Sequence, residues 1–239
     1  MNRTKDQYPN PGAARDAGLL YLLVAITGAF GLIYIPAAFT VPGDVTATAG
    51  RIRAAELLFR LGIVSELIAA TAFIFLVLAL YRLLKGVNEK HAALMVTLVL
   101  VSVPISFFNV LNEIAVLILL SGADFLSVFA PHQLDALVAV FLSLHRHGFL
   151  VAEIFWGLWL FPFGVLVFKS GFLPRILGVL LIIACFAYLA ASVTALLWPR
   201  YARIVSLLAS APEAAGELPI ILWLLIKGAK MPPLDTPPA

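Results

Sequence analysis

Two glutamates with the potential to do chemistry, Glu66 and Glu153, each lie inside a long run of apolar residues. An ionisable side chain in such a run is costly and usually has a partner or a function. A carboxyl that stays protonated at neutral pH in an apolar site can act as a general acid. Isoprenoid cyclisation or isomerisation is chemistry of this kind. The sequence therefore offers Glu66 and Glu153 as candidate catalytic acids.

Other polar residues accompany these glutamates and are candidates for binding the polar head of a ligand. Seven positions separate Arg146 from Glu153, which places them about 20° apart on one helical face and about 10.5 Å apart along the axis. The two residues therefore line one groove without forming a tight pair. Aromatic side chains follow Glu153 and are candidates for an apolar pocket wall. The candidate ligand-binding residues are Arg60, Asn109, Asn112, Glu113, Arg146, His147, Glu217, Trp156 and Trp159.

No metal site is predicted. His145 and His147 are two positions apart, so on a helix their side chains point about 200° apart and cannot bind one ion together. The single cysteine, Cys185, excludes an internal disulfide and a cysteine-based metal site. The sequence lacks a P-loop and the GxSxG, HExxH and CxxC motifs, which argues against soluble-type ATPases and hydrolases. No cofactor is indicated.

The same polar residues also have a purely structural interpretation. Arg60 with Glu113 or Glu66, and Arg146 with Glu153 in another packing geometry, would be ion pairs that set helix register. Asn109 and Asn112 would then be hydrogen-bonding residues between helices, an interaction worth about 0.6 kcal/mol on average. The sequence leaves both interpretations open.

The elements that must position these residues are membrane helices. Of the 239 residues, 62% are hydrophobic and 12% are charged, and the mean hydropathy is +1.04. Soluble domains carry about 25% charged residues. The composition therefore predicts an all-α polytopic transmembrane bundle with membrane lipids as partners. The net charge of +3 comes from basic residues between spans, which indicates topology and not nucleic-acid binding. The oligomeric state is not indicated.

A span needs about 20 mostly apolar residues. This length predicts six spans, with seven as the alternative, and short outer interfacial helices. Residues 134–144 either lie at the interface or extend the fourth span. The sixth span is short, or begins near Ile204 and is broken at Pro212. Residues 1–16 form a cytoplasmic segment, 17–228 the transmembrane domain, and 229–239 a disordered cytoplasmic tail. The predicted spans are 17–39, 56–84, 92–120, 148–168, 176–198 and 217–226.

The distribution of lysine and arginine predicts the orientation. With six spans, 10 of the 16 Lys and Arg residues, including every lysine, fall on the side of both termini. The positive-inside rule places that side in the cytoplasm of a bacterial inner membrane. The intramembrane polar residues then lie in the outer half of the bundle. This one-sided arrangement predicts a pocket that opens toward the periplasm or the outer leaflet.

Three stretches resemble a known family: LLFRLGIVSEL at 57–67, LYRLLKGVN at 80–88 and GFLVAEIFWGLWLFPFGVLVFKSGFLPRILG at 148–178. They are similar to a bacterial multi-pass membrane family named domain of unknown function 4386, over roughly residues 15 to 228. KSGFLPRILG is the most specific part of the match. The resemblance implies an integral membrane protein with six or seven helices and implies no reaction or ligand.

Three functions fit these observations. The first is binding of a lipid or small apolar molecule, with Arg and Glu holding its polar head. The second is an intramembrane enzyme that uses Glu66 or Glu153 as general acid on a lipid or isoprenoid. The third is a proton-coupled transporter that uses the same carboxylates. The apolar inner half and the lack of an inverted repeat argue against transport.

Overall fold

The computed structural model describes residues 11–229, and its described residues contain helices and no strand. The predicted N-terminal segment and tail fall largely on residues 1–10 and 230–239, which lie outside the described residues. Helix α1 begins at Pro11, six positions before the predicted first span. The elements in chain order are α1 (Pro11–Ala29), a π-helical stretch (Phe30–Tyr34), α2 (Ile35–Phe39), α3 (Val45–Ala54), α4 (Glu56–Leu84), α5 (Glu89–Leu120), a 3-10 turn (Asp124–Leu126), α6 (Pro131–Leu158), α7 (Leu160–Lys169), α8 (Arg175–Leu197) and α9 (Pro199–Ile226).

Six helical runs within residues 11–229 are long and apolar enough to cross a membrane. Large apolar side chains on these helices are solvent-exposed, for example Leu57 at 72% and Phe108 at 73%. Such side chains suit contact with lipid. The prediction of an all-α multi-pass protein is therefore confirmed. The runs are Gly12–Phe39, Glu56–Leu84, Glu89–Leu120, Pro131–Lys169, Arg175–Leu197 and Pro199–Ile226.

The fourth span is longer than predicted. Residues 134–144 belong to α6 and extend the span, so the alternative of a separate interfacial helix is wrong. Together α6 and α7 form a run of 39 residues. The two helices meet at Trp159, and Pro162 lacks the N–H that would bond to the Leu158 carbonyl, which explains the irregular turn.

The sixth span is also longer than predicted. Helix α9 is continuous over 28 residues, so both a start near Glu217 and a break at Pro212 are wrong. Pro199 stands in its first turn, where the missing N–H costs nothing. Prolines inside membrane helices are tolerated because neighbouring groups satisfy the freed backbone carbonyls. Pro212 and Pro219 therefore do not end the helix.

A short helix, α3, forms as a separate element between α2 and α4. Helix α3 follows the turn at Gly43, whose φ of 79° suits glycine. Asp44 caps α3, because its carboxylate accepts a hydrogen bond of 2.8 Å from the Ala47 N–H. Arg53 at the end of α3 forms an ion pair of 3.0 Å with Asp135 of α6.

The described residues form two compact units, each built from several separate segments of the chain. Among the described residues, unit 1 comprises the chain up to Leu22, Ile74–Leu100 and the chain from Ile154 onward. Unit 2 comprises Leu23–Phe73 and Val101–Glu153. In unit 1, α7 and α8 approach closely at Gly164 and Gly178, where any added Cβ would collide with the facing backbone. The buried core of unit 2 consists of Ile35, Phe39, Ala49, Ile52, Phe59, Ile63, Val110, Val116, Leu119, Leu126 and Val138.

Candidate functional site

Three ionisable side chains from three helices meet in unit 2. Glu66 of α4, Glu113 of α5 and His145 of α6 each offer one potential ligand atom, and these atoms all lie within 4.8 Å of one another. The Nε2 atom of His145 lies 3.1 Å from Oε2 of Glu66 and 4.0 Å from Oε2 of Glu113. We call these three residues the carboxylate–histidine cluster.

The carboxylate–histidine cluster is buried and only partly satisfied by the protein. The exposed fractions are 8% for Glu66, 2% for Glu113 and 7% for His145. Within the described chain, Oε1 of Glu66 and Oε2 of Glu113 are buried without a hydrogen-bond partner. Buried polar atoms normally have partners, and an exception indicates a functional role or an additional ligand.

Asparagine side chains hold the backbone beside the cluster. The Nδ2 group of Asn109 donates a hydrogen bond of 2.9 Å to the carbonyl of His145 and so ties α5 to α6. The Nδ2 group of Asn112 donates to the carbonyl of Asn109 at 3.0 Å. Gly148, one turn after His145, leaves room for the Asn109 side chain, which a Cβ at that position would overlap. The two asparagines of α5 therefore support the backbone at His145.

The first span packs closely against the part of α4 that carries Glu66. A Cβ added to Gly31 would lie 2.5 Å from Cγ of Glu66, so glycine is required for this close approach. Gly31 belongs to the π-helical stretch, a type of irregularity that often occurs at functional sites. The Ser65 hydroxyl donates a hydrogen bond of 2.9 Å to the Thr27 carbonyl, just before that stretch.

The predicted arginine partners lie elsewhere. Arg60 is exposed and its Nη2 pairs with Glu56 at 2.7 Å, so the proposed pair with Glu66 or Glu113 is wrong. Arg146 is exposed whereas Glu153 is buried. The groove predicted for these two side chains stays a prediction.

His147 is exposed as well, and its Nδ1 lies within hydrogen-bonding distance, 2.7 Å, of the Ser143 carbonyl. No Lys or Arg side chain in residues 11–229 forms an ion pair with either carboxylate of the cluster. The charge of Glu66 and Glu113 is therefore balanced by protons, by His145 or by a bound cation.

Glu217 forms a different group, in unit 1. The Tyr21 hydroxyl donates to its Oε2 at 2.6 Å, and the Tyr188 hydroxyl donates to its Oε1 at 2.7 Å. The structure thus places Glu217 with two tyrosines, and its role as a ligand-binding residue stays a prediction.

The predicted pocket aromatics also belong to unit 1. The rings of Trp159 and Phe163 stack with centroids 5.2 Å apart, and the ring of Tyr21 lies 5.8 Å from that of Trp159. Trp159 is 2% exposed and therefore fills the core. Trp156 is partly buried.

Sequence reasoning missed His145, because it tested His145 only together with His147. The helical periodicity of α6 does indicate that His145 is buried. Val138, His145 and Ala152 recur every seven positions and are 0%, 7% and 1% exposed. Positions seven apart share a helical face. His145 therefore lies on the buried stripe of α6, and its partners come from other helices.

The comparisons with known proteins identify the family of this chain. The profile of the family described as Domain of unknown function (DUF4386) matches residues 17–228. A protein of Archaeoglobus fulgidus described as an uncharacterized protein is 33% identical over 105 residues. That match covers 44% of this chain and 56% of the relative, so the chain spans little more than half of that protein's length. No solved structure matches. Because the family profile covers nearly the whole chain, this protein belongs to the DUF4386 family of integral membrane proteins.

Proposed function

We propose that this membrane protein binds, at the carboxylate–histidine cluster, a ligand that brings positive charge or hydrogen-bond donors. The observation that supports the proposal is the pair of buried carboxylate oxygens, Oε1 of Glu66 and Oε2 of Glu113, that have no partner in the described chain. Leaving a buried acceptor unsatisfied costs about 1–3 kcal/mol. A ligand that donates to these oxygens removes that cost.

For an organic ligand, this chemistry favours a lipid or small apolar molecule with a hydroxyl or amine head. The sequence-based version of the proposal used Arg60 and Arg146 to hold the polar head. Both arginines are exposed, and neither forms an ion pair with the cluster in the described part of the chain. Two carboxylates and one imidazole repel an anionic head unless a cation intervenes. The ligand class is therefore neutral or cationic at its polar end.

The experiment is extraction of the purified protein in mild detergent, followed by native mass spectrometry for bound species. We expect a bound species in the wild-type protein and in Glu56→Gln, because Glu56 is exposed and pairs only with Arg60 among the ion pairs described. We expect its loss in Glu113→Gln. A wild-type protein that carries nothing, or equal binding by both variants, would refute the proposal.

A second candidate, an intramembrane acid–base enzyme, is supported by the contact between Glu66 and His145. A carboxylate within 3.1 Å of an imidazole nitrogen orients the ring for proton transfer. The test is incubation of the protein with a membrane lipid extract and mass spectrometry of the products. A product that forms with wild type and His147→Gln, but not with His145→Gln, supports catalysis. If the lipid composition after incubation is the same with all three proteins, this candidate is eliminated.

We also propose that the chain resides in the bacterial inner membrane with both termini in the cytoplasm and with lipids as partners. The support is the excess of Lys and Arg on the side of the termini, together with six helical runs suited to spanning. An even number of crossings returns the chain to the side where it began.

A further inference from the structure

We infer that Glu66, Glu113 and His145 form a binding site for one divalent first-row transition metal ion, with Zn²⁺, Mn²⁺ and Fe²⁺ as the candidates. This inference rests on the proposed function and narrows its ligand from any donor or cation to a metal. The three residues come from α4, α5 and α6, and each supplies one ligand atom within 4.8 Å of the others.

The spacing of the ligand atoms suits a metal. Zinc binds histidine nitrogen and carboxylate oxygen at about 2.0–2.2 Å, so in a tetrahedral site the ligand atoms stand about 3.4 Å apart. The distances from Nε2 of His145 to Oε2 of Glu66 and of Glu113, 3.1 and 4.0 Å, lie on either side of that value. Shifts of less than about 1 Å in side-chain ends therefore bring the three atoms to bonding distance.

The unpartnered oxygen of Glu113 is independent evidence for a ligand. Its side chain is 3% exposed, its Oε2 lacks a hydrogen-bond partner in the described chain, and the same Oε2 lies 4.0 Å from Nε2 of His145. A divalent ion between the two carboxylates satisfies this oxygen and balances both negative charges.

The donor set restricts the metal. One imidazole nitrogen with two carboxylate oxygens suits Zn²⁺, Mn²⁺ and Fe²⁺, whereas Ca²⁺ and Mg²⁺ prefer oxygen alone. Helical bundles hold such ions with Glu and His side chains that project inward from several helices. Copper(I) prefers sulfur ligands, and the single cysteine of the chain, Cys185, belongs to unit 1.

The surroundings hold the ligands in place. Asn109 donates to the carbonyl of His145, and Gly148 and Gly31 leave room for the Asn109 and Glu66 side chains. Fixed ligand positions raise metal affinity, since even the loss of an outer partner costs about 10–100-fold. Three protein ligands also leave a coordination position for water or for an organic ligand.

The experiment uses the full chain in detergent without a polyhistidine tag. The protein is stripped with a chelator and loaded with Zn²⁺ or Mn²⁺. The number of metal ions per chain is then measured by inductively coupled plasma mass spectrometry. The affinity for the metal is measured by competition with a chromophoric chelator. We expect one ion per chain in wild type. We expect His145→Gln and Glu113→Gln to weaken binding by more than about tenfold, because each removes a ligand.

The matched controls are His147→Gln and Glu56→Gln, which change the same residue types at exposed positions. Both should keep wild-type stoichiometry. If the cluster variants do not fold, the Co²⁺ absorption spectrum of wild type supplies the second test, because an imidazole and two carboxylates change the visible bands from those of aqueous Co²⁺. A spectrum identical to that of aqueous Co²⁺ would overturn the inference, as would equal loss in the cluster and control variants.

Failure of this inference is distinguishable from failure of the proposed function. The wild-type protein could lack stoichiometric metal and still carry a bound organic molecule that Glu113→Gln loses. This result overturns the metal site and leaves the proposed function standing. A wild-type protein that holds neither metal nor organic ligand overturns both.

Discussion

The imidazole of His145 and the carboxylate of Glu66 are 3.1 Å apart, although 79 positions separate the two residues in the chain. The contact joins α6 to α4 inside unit 2, and both side chains are about 92% buried. It is therefore a tertiary contact between spans, and its energy depends on both residues being present.

We expect Glu66→Gln and His145→Gln to be non-additive in their effects on the free energy of unfolding. The coupling energy should lie at about 0.5–3 kcal/mol, the range for residues that share a buried network. A double-mutant cycle by denaturant titration in mixed micelles measures it. The control cycle pairs Glu66→Gln with His147→Gln, where exposure of His147 predicts a coupling near zero. Equal coupling in both cycles would contradict the contact.

Gly148→Ala should destabilise the protein by about 1–3 kcal/mol, because the new methyl group overlaps the Asn109 side chain. The change should also displace the amide from the carbonyl of His145. Thermal unfolding in detergent measures the loss, and addition of Asn109→Ala should recover part of it. Gly28→Ala, at a helical glycine with no atom near the added methyl, is the control and should be neutral or stabilising. A neutral Gly148→Ala would show that the space is not restricted.

Tyr21→Phe and Tyr188→Phe should each lower stability by about 0.5–3 kcal/mol, because each leaves a buried acceptor with one donor fewer. Each change removes one of the two hydroxyl donors to Glu217. Tyr34→Phe is the matched control, because Tyr34 is 53% exposed. If the unfolding curves of the three variants coincide, the hydrogen bonds of Tyr21 and Tyr188 to Glu217 have no structural role.

Arg60→Ala should change stability by no more than about 0.5 kcal/mol, because its ion pair with Glu56 is an exposed pair on one helix. Arg146→Ala should have an equally small effect. Neither change should alter the amount of metal or organic ligand that copurifies. Loss of ligand in either variant would restore the arginines to the binding site.

Membrane orientation is testable with single cysteines in a Cys185→Ala background. We expect a membrane-impermeant maleimide to label Val128→Cys in intact cells, since Val128 is 79% exposed between α5 and α6. Lys90→Cys, in the first turn of α5, should react only after the membrane is opened. The reverse labelling pattern would place the termini outside.

The sequence by itself determined that this is an all-α membrane protein, and it predicted six long apolar helices with seven as the alternative. Length and hydropathy are properties of each segment alone, so the limits of the second span, 56–84, agree with α4. The same reasoning failed at α9, where helix continuity through Pro212 depends on backbone and packing effects that hydropathy does not record.

Only the tertiary structure decided which polar residues meet. Helical spacing predicts which residues of one helix share a face, but the rotation of that helix toward its neighbours depends on packing between helices. One step along α6 separates His145, which is buried with Glu66 and Glu113, from Arg146, which is exposed. The sequence contains the members of the carboxylate–histidine cluster. Their assembly from three spans is a property of the fold.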